Sequence, residues 1–248
     1  MPKISVVIPT YNRPECLRAA LETLALQTFK DFEVIISDAG SPRSPINIVQ
    51  GFSKRLNVRF IRQKKDIPWN QPTAKNDGIR IAHGEILFLS DDDLIYHQNC
   101  LANHHKQHHS RKRIMVFGLK YKYPPLQANQ AVEYLKTRFP QGAIDLRGKW
   151  RPTSPQHNFS VRKSEVIAIN GYDQDFSGHR GCDDGDFAWR LIRNGVKPIF
   201  AKECQALFII KTYHRLDVKE RRRQARHNQK LAANKKRVGK IFCAHGIR

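Results

Sequence analysis

The 248-residue sequence has no C-x-x-C pair, no apolar run of membrane-spanning length, and half as many acidic as basic side chains. Each shortage removes a class of protein. Its five cysteines (Cys16, Cys100, Cys182, Cys204 and Cys243) are odd in number and far apart, so free thiols in a reducing compartment are expected rather than a disulfide scaffold. A membrane-spanning helix needs about 20 apolar residues, and no run approaches that. "MPKISVVIPTYN" turns polar too early for a signal peptide. The expectation is a cytoplasmic protein, soluble or peripheral at the inner face of a membrane. The aromatic-plus-basic signatures of RNA-recognition folds are missing, so nucleic acid is not an expected partner. "IPTYNRP" carries no glycine, which argues against a sugar-phosphate nucleotidyltransferase with its glycine-rich phosphate loop.

What is abundant is positive charge. Forty-four Lys and Arg against 22 Asp and Glu leave a net charge of +22, and half of that excess sits in residues 211–248, which hold 13 basic and two acidic side chains. An anionic partner is expected there: a membrane surface, a nucleotide or an acidic polymer.

Short β-branched runs alternate with helical patterns, as in βα units that build a largely parallel sheet. Strands are expected over Ile4–Ile8, Glu33–Ser37, Val58–Arg62, Ile86–Leu89, Ile114–Leu119 and Ala206–Ile210. In "PECLRAALETLAL", Leu17, Leu21 and Leu24 make one apolar helix stripe. A second helix fits "PTAKNDGIRIAHG", a third roughly 128–138, and a fourth follows "GCDDGD" with Phe187, Leu191 and Ile192 on one side. His104, His105, His108 and His109 have i, i+4 spacing but no Cys or carboxylate partner nearby, and are read as a solvated helix. The basic tail is weakly amphipathic through Val218, Ala225, Leu231, Val238 and Phe242.

Two acidic knots carry the chemistry. "ILFLSDDD" drives a buried strand into Asp91, Asp92 and Asp93, where like charges need a compensating cation, a divalent metal being the obvious candidate. "DDGD" sets Asp183, Asp184 and Asp186 before a helix. A polyanion-binding module, the main alternative from another class, explains neither.

The segments "ISVVIPTYNRP", "FEVIISDAGSP", "AKNDGIRIAHGEILFLSDDDLI", "NFSVRKSEVIAINGYD" and "GCDDGDFAWRLIRNG" resemble, in this order, the recurring segments of the family-2 glycosyltransferases. The C-terminal part is similar to that of galactosyltransferase- and chondroitin-synthase-type members. The resemblance implies a GT-A, Rossmann-like α/β fold: a mixed, mostly parallel sheet flanked by helices, over residues 1–214. Residues 1–120 would be the nucleotide-sugar half and 121–214 the acceptor half, with 215–248 a basic helical tail. It also implies inverting, metal-dependent transfer from a nucleotide-sugar donor, a UDP-sugar foremost, to a glycan or lipid-linked acceptor. Pro9, Thr10, Tyr11 and Arg13 would line base and ribose, Asp38 would accept the uracil N–H, and Lys75 and Asn76 would approach the diphosphate. Asp91 would hold the ribose or serve as a second metal ligand. Asp92 and Asp93, with His214 as a further ligand, would bind Mn²⁺ or Mg²⁺. Asp184 would be the catalytic base, with Asp183 in the place of the usual Glu. The sequence departs from the family pattern at Ala39 and Ser90, where acidic residues are usual.

Overall fold

The computed structural model describes residues 1–64, 69–122, 157–208 and 218–247. Among the described residues an eight-stranded mixed sheet carries the molecule, in the order β3 (Val58–Arg62), β2 (Phe32–Asp38), β1 (Ile4–Thr10), β4 (Ile86–Ser90), β7 (Asn158–Arg162), β6 (Ile114–Lys122), β8 (Lys197–Phe208) and β5 (Leu94–Tyr96). Its first half is parallel: β1 (Ile4–Thr10) lies between β2 (Phe32–Asp38) and β4 (Ile86–Ser90), and β3 (Val58–Arg62) flanks β2. β1, β2 and β4 are buried along their whole length. That is why they read as continuous apolar runs rather than as alternating ones.

Helices cover both faces. Ile4, Val6 and Ile8 pack with Leu17, Leu21 and Leu24 of α1 (Pro14–Ala25), Val49 of α2 (Ile46–Gly51) and Leu101 of α4 (Cys100–His109). On the other face Val7, Ile35, Leu87 and Leu89 meet Ile79 of α3 (Gln71–Ile81), Val166 of α5 (Lys163–Ala168), and Phe187 and Leu191 of α6 (Asp183–Arg193).

β7 (Asn158–Arg162) reverses direction and pairs antiparallel with both β4 and β6 (Ile114–Lys122). The Ser90↔Asn158 pairing therefore brings His157 to the carboxyl end of β4. The last long strand, β8, starts at Lys197 rather than near Ala206, and runs to Phe208. Lys202 and Glu203 break its apolar pattern beside a register shift against Gly118/Leu119 of β6. β5 (Leu94–Tyr96) closes the far edge. The helix expected over 128–138 and the end of the strand expected over Ala206–Ile210 lie outside the described residues.

The tail forms a helix, α7 (Val218–Val238). Ala225 and Leu231 of the expected stripe are half-buried on the side that carries the buried Asn228 and Ala232, but Val238 and Phe242 are 61% and 46% exposed. Polar contacts complete the seat. Asn228 donates to three carbonyls, and Lys235 pairs with Asp173 and Asp175 at 2.7 Å each.

The histidine helix also departs from the sequence reading, because His104 and His108 are fully buried in α4. His104 meets Ser160 Oγ at 2.7 Å and Asn158 Oδ1 at 2.9 Å, and His108 meets the same Ser160 oxygen at 2.8 Å. Hydrogen bonds to β7 make the burial of these polar rings tolerable. Burial pushes His104 down to about 3 and His108 down to about 4. The unfolded chain takes up these protons near 6.5, so their contribution is complete above that pH and is lost as pH falls towards 4. The slope is up to about 1.4 kcal/mol per pH unit for each ring. Thermal melts of a His104→Gln/His108→Gln variant between pH 7 and 4 are expected to show a flatter acid limb than wild type. An identical limb would assign acid lability elsewhere.

Candidate active site

Three strands of the parallel half end at one place, where open α/β sheets receive ligands. Thr10 closes β1, Asp38 closes β2, and Ser90 hands β4 over to Asp91, Asp92 and Asp93. All three acids of the triplet are buried.

Their compensation comes from the chain itself. Arg13 Nη1 donates to Asp92 Oδ1 at 2.8 Å and Asp93 Oδ2 at 3.2 Å, while Thr10 Oγ1 donates to Asp92 Oδ2 at 2.8 Å. Asp91 accepts from Gln71 Nε2 at 2.9 Å, and His157 Nδ1 lies 2.8 Å from its second oxygen. Burial, then the like charges of Asp93 and Asp91, push Asp92 upward against the pull of Arg13. Burial acts against the Arg13 cation too, but the three carboxylates outweigh it and hold its pKa raised.

The second knot lies at the N-terminus of α6, whose helix dipole favours acids in its first turn. Lys75 of α3 joins it to the first knot. Its Nζ donates to Asp184 Oδ1 at 2.7 Å and lies 4.0 Å from Asp91 Oδ1. The ammonium also sits 4.8 Å from the centre of the Tyr172 ring, and the Tyr172 hydroxyl donates to Asp184 at 3.3 Å. Burial opposes the Lys75 charge, but Asp184, Tyr172 and Asp91 together keep its pKa raised. Burial and the adjacent Asp184 push Asp183 upward, against Lys75.

Asp186 belongs to a separate arrangement. Its Oδ2 accepts from Arg190 Nε at 2.7 Å, both groups buried, while Arg190 Nη1 donates to the carbonyls of Ile169 and Gly171.

The other expected residues fall around this centre. Asp38 is wholly buried. Its Oδ1 accepts from the Ser41 amide and hydroxyl, and Arg62 Nε stands 3.1 Å from Oδ2. Beside it opens a recess of about 520 Å³ lined by Gly40, Ser41, Pro42, Arg62, Gln63 and Lys64. Pro9 is buried in β1, and Tyr11 is 38% exposed at the mouth of the β1–α1 loop. Asn76 is fully buried, with both ends of its amide taken by the backbone of Tyr172. Ser90, which replaces the usual first acid, donates to the His157 carbonyl and contacts the Tyr96 hydroxyl. His214 lies outside the described residues.

Carboxylate oxygens are the donors that hard divalent ions take, so Asp92 and Asp93 suit Mn²⁺ or Mg²⁺ chemically. Arg13 stands between them as the cation, however, and among the described residues no three His, Cys, Asp or Glu side chains are grouped to hold a metal. The sequence assigns no role to Gln71, His157 or Tyr172. Tyr172 lies in the segment "NFSVRKSEVIAINGYD", whereas Gln71 and His157 belong to no motif and reach Asp91 through the start of α3 and the β4–β7 pairing.

Residues 5–168 match the family model of glycosyl transferase family 2. The chain belongs to that family. Validoxylamine A glucosyltransferase of Streptomyces hygroscopicus subsp. jinggangensis is 29% identical over 234 residues, covering 82% of this chain and 54% of that protein. The chain thus spans about half the length of that relative. Among solved structures, the mannosyltransferase PcManGT from Pyrobaculum calidifontis, in complex with GDP-Man and Mn2+, superposes with a TM-score of 0.65 at 18% identity, over 85% of this chain and 58% of that one. S. aureus TarS 1-349 in complex with UDP-GlcNAc gives 0.61 at 19%, over 85% and 57%. At these identities the likeness is one of fold, and it confirms the GT-A-like architecture of this family-2 chain.

The split between the acids of α6 is testable. Arg190→Met would strand the buried Asp186 carboxylate and release two carbonyls, and removing one partner of a buried pair costs about 3–5 kcal/mol. Urea denaturation is expected to show that loss. A change under 1 kcal/mol would mean that Asp186 is not held by Arg190.

Proposed function

We propose that the chain is an inverting, metal-dependent glycosyltransferase that moves a sugar from a UDP-sugar to a hydroxyl of a glycan or lipid-linked acceptor. The observation that carries this reading is the bridging of two acidic clusters by one buried lysine, 2.7 Å from Asp184 and 4.0 Å from Asp91. Donor and acceptor chemistry then meet within one side chain's reach.

The nucleotide lies across the carboxyl ends of β1 and β2, its base in the recess beside Asp38 and its ribose between Pro9, Thr10, Tyr11 and Asp91. Arg13 and Lys75 present cations to the diphosphate, with Asn76 fixing the backbone that packs on Lys75. Asp92 and Asp93 would hold Mn²⁺ or Mg²⁺, which when bound supplies Lewis-acid compensation of phosphate charge. Asp184 takes the acceptor hydroxyl's proton while that oxygen bonds to the sugar C1. The C1–O bond to the β-phosphate breaks at the same time, and its electron pair leaves with UDP. Asp183 lines the sugar side. Support comes from the family membership and from relatives solved with GDP-Man and Mn2+ and with UDP-GlcNAc. Residues 1–120 serve the donor and 121–214 the acceptor.

Two variants test it together. Asp184→Asn is expected to lower transfer by ~10²- to 10⁴-fold while leaving UDP affinity intact. Asp92→Asn is expected to fold and to lose the Mn²⁺-dependent part of UDP binding in calorimetry. Near-wild-type transfer by Asp184→Asn would remove the base, and unchanged UDP affinity in Asp92→Asn would remove the metal site.

The outer side of α7 suits an anionic membrane surface. Lys219, Arg226, Lys230 and Arg237, spaced seven, four and seven residues apart, run along the side opposite the buried Asn228. Exposed Val238 and Phe242 follow at the helix end, and basic residues flanked by apolar ones are the pattern of an interfacial helix. Among the described residues no helix is long and apolar enough to cross a membrane. Each basic residue near anionic lipid contributes about 1 kcal/mol. Salt-sensitive co-sedimentation with phosphatidylserine-containing but not neutral vesicles is expected, and reversing the charge of these four residues should abolish it. No sedimentation at low salt would leave an anionic acceptor as the partner of α7.

A further inference from the structure

The last 30 described residues grip the two segments that carry the base. Asn228, fully buried, donates through Nδ2 to the carbonyls of Phe176 at 3.3 Å, His179 at 2.9 Å and Gly181 at 2.8 Å. Those carbonyls belong to the loop that ends at Asp183. The loop needs restraint, because Gly178, Gly181 and Cys182 all take positive φ, and Cys182 is the residue before α6. A non-glycine residue held there is strained.

The second grip is on the turn before Tyr172. Asn170 Nδ2 donates to the Cys243 carbonyl at 2.8 Å, the Ile247 amide donates to the Asn170 carbonyl at 3.1 Å, and Gln174 donates to the Gly246 carbonyl at 2.7 Å. The backbones approach so closely that a Cβ on Gly246 would run into the Asn170 carbonyl. Lys235 closes the clamp on Asp173 and Asp175 between the two. Asp184 accepts from both Lys75 and Tyr172, so its place depends on where these two segments stand.

We infer that the C-terminal segment is part of the catalytic apparatus, with Asn228 a positioning residue that sets Asp184 through the loop 176–182. This rests on the base reading of Asp184. An apolar residue at 228 would leave these carbonyls without their donor, so the amide ties the helix to the loop as well as filling the space. What it adds is fixed geometry in a loop whose own torsions disfavour that geometry. Misplacement of a reacting group by about 1 Å can cost ~10²-fold in rate.

The test uses the full chain with Asn228→Asp, which keeps shape but turns the donor into an acceptor, and Asn228→Gln, which keeps the donor. Release of UDP from a panel of UDP-sugars, measured well below the melting temperature, is expected to show kcat reduced at least ~10-fold in Asn228→Asp. KM for the donor and UDP affinity should stay within about two-fold, and Asn228→Gln should recover part of kcat. Hydrogen exchange should accelerate ~10-fold or more at amides 177–185 and stay unchanged in β1, β2 and β4. Unchanged kcat, or unchanged exchange in the loop, would overturn the proposal. So would exchange that rises throughout the sheet together with loss of UDP affinity, since that marks general destabilisation. Asp184→Asn run in parallel separates the two readings. Full activity there removes the base. A dead Asp184→Asn beside a fully active Asn228→Asp removes only the clamp. The exchange measurement needs no substrate, so a panel lacking the right sugar still permits refutation.

Discussion

The ammonium of Lys75, taken wholly out of water, survives as a cation only because Asp184 and Asp91 face it and the Tyr172 ring lies beneath it. Removing such a charge from water costs several kcal/mol per ion, recovered only where the geometry is good and the remaining bonds are made. That demand fixes much else. α3 must aim its N-terminal half at the end of β4 and the start of α6 at once. Asn76, the next residue along α3, meets the same demand on the backbone side by binding both polar groups of Tyr172. Tyr172 in turn stacks flat on Phe187, with ring centres 4.0 Å apart, so the lysine's seat reaches the core of the second half. Two consecutive residues of one helix thereby set the separation of the two acidic clusters.

The same logic applies at the mouth of the site, where Arg13 lies between Asp92 and Asp93. Arg13 and Lys75 are both paired with carboxylates. A diphosphate bound as proposed would therefore exchange partners with Asp92, Asp93 and Asp184 rather than meet unpaired cations.

Much of this was legible beforehand, for identifiable reasons. β1, β2 and β4 are buried on both faces, so their β-branched runs announced themselves. The two acidic knots stood out because carboxylates gathered at element ends are expensive without compensation. The bridge between the knots was hidden. Lys75 looks like any solvated helix lysine, and His157 comes from a strand that pairs antiparallel 67 positions after Ser90. His104 and His108 are buried where their polarity suggests solvent, because their partners sit on β7, out of reach of any local pattern. The seat of α7 was hidden for a similar reason. The Asn228 amide and the Lys235 ion pairs hold it, and neither leaves a periodic trace.

The antiparallel pairing of β7 ties one contact of the acidic triplet to strand register. Ser90 stands opposite Asn158, which leaves His157 Nδ1 2.8 Å from an Asp91 oxygen. Side chains along a strand alternate between faces, so a slip of one residue would carry Phe159 and Val161 out of the core in the same movement that displaced His157. The contact to Asp91 therefore cannot drift while the core stays packed, and evolution must change the two together or neither.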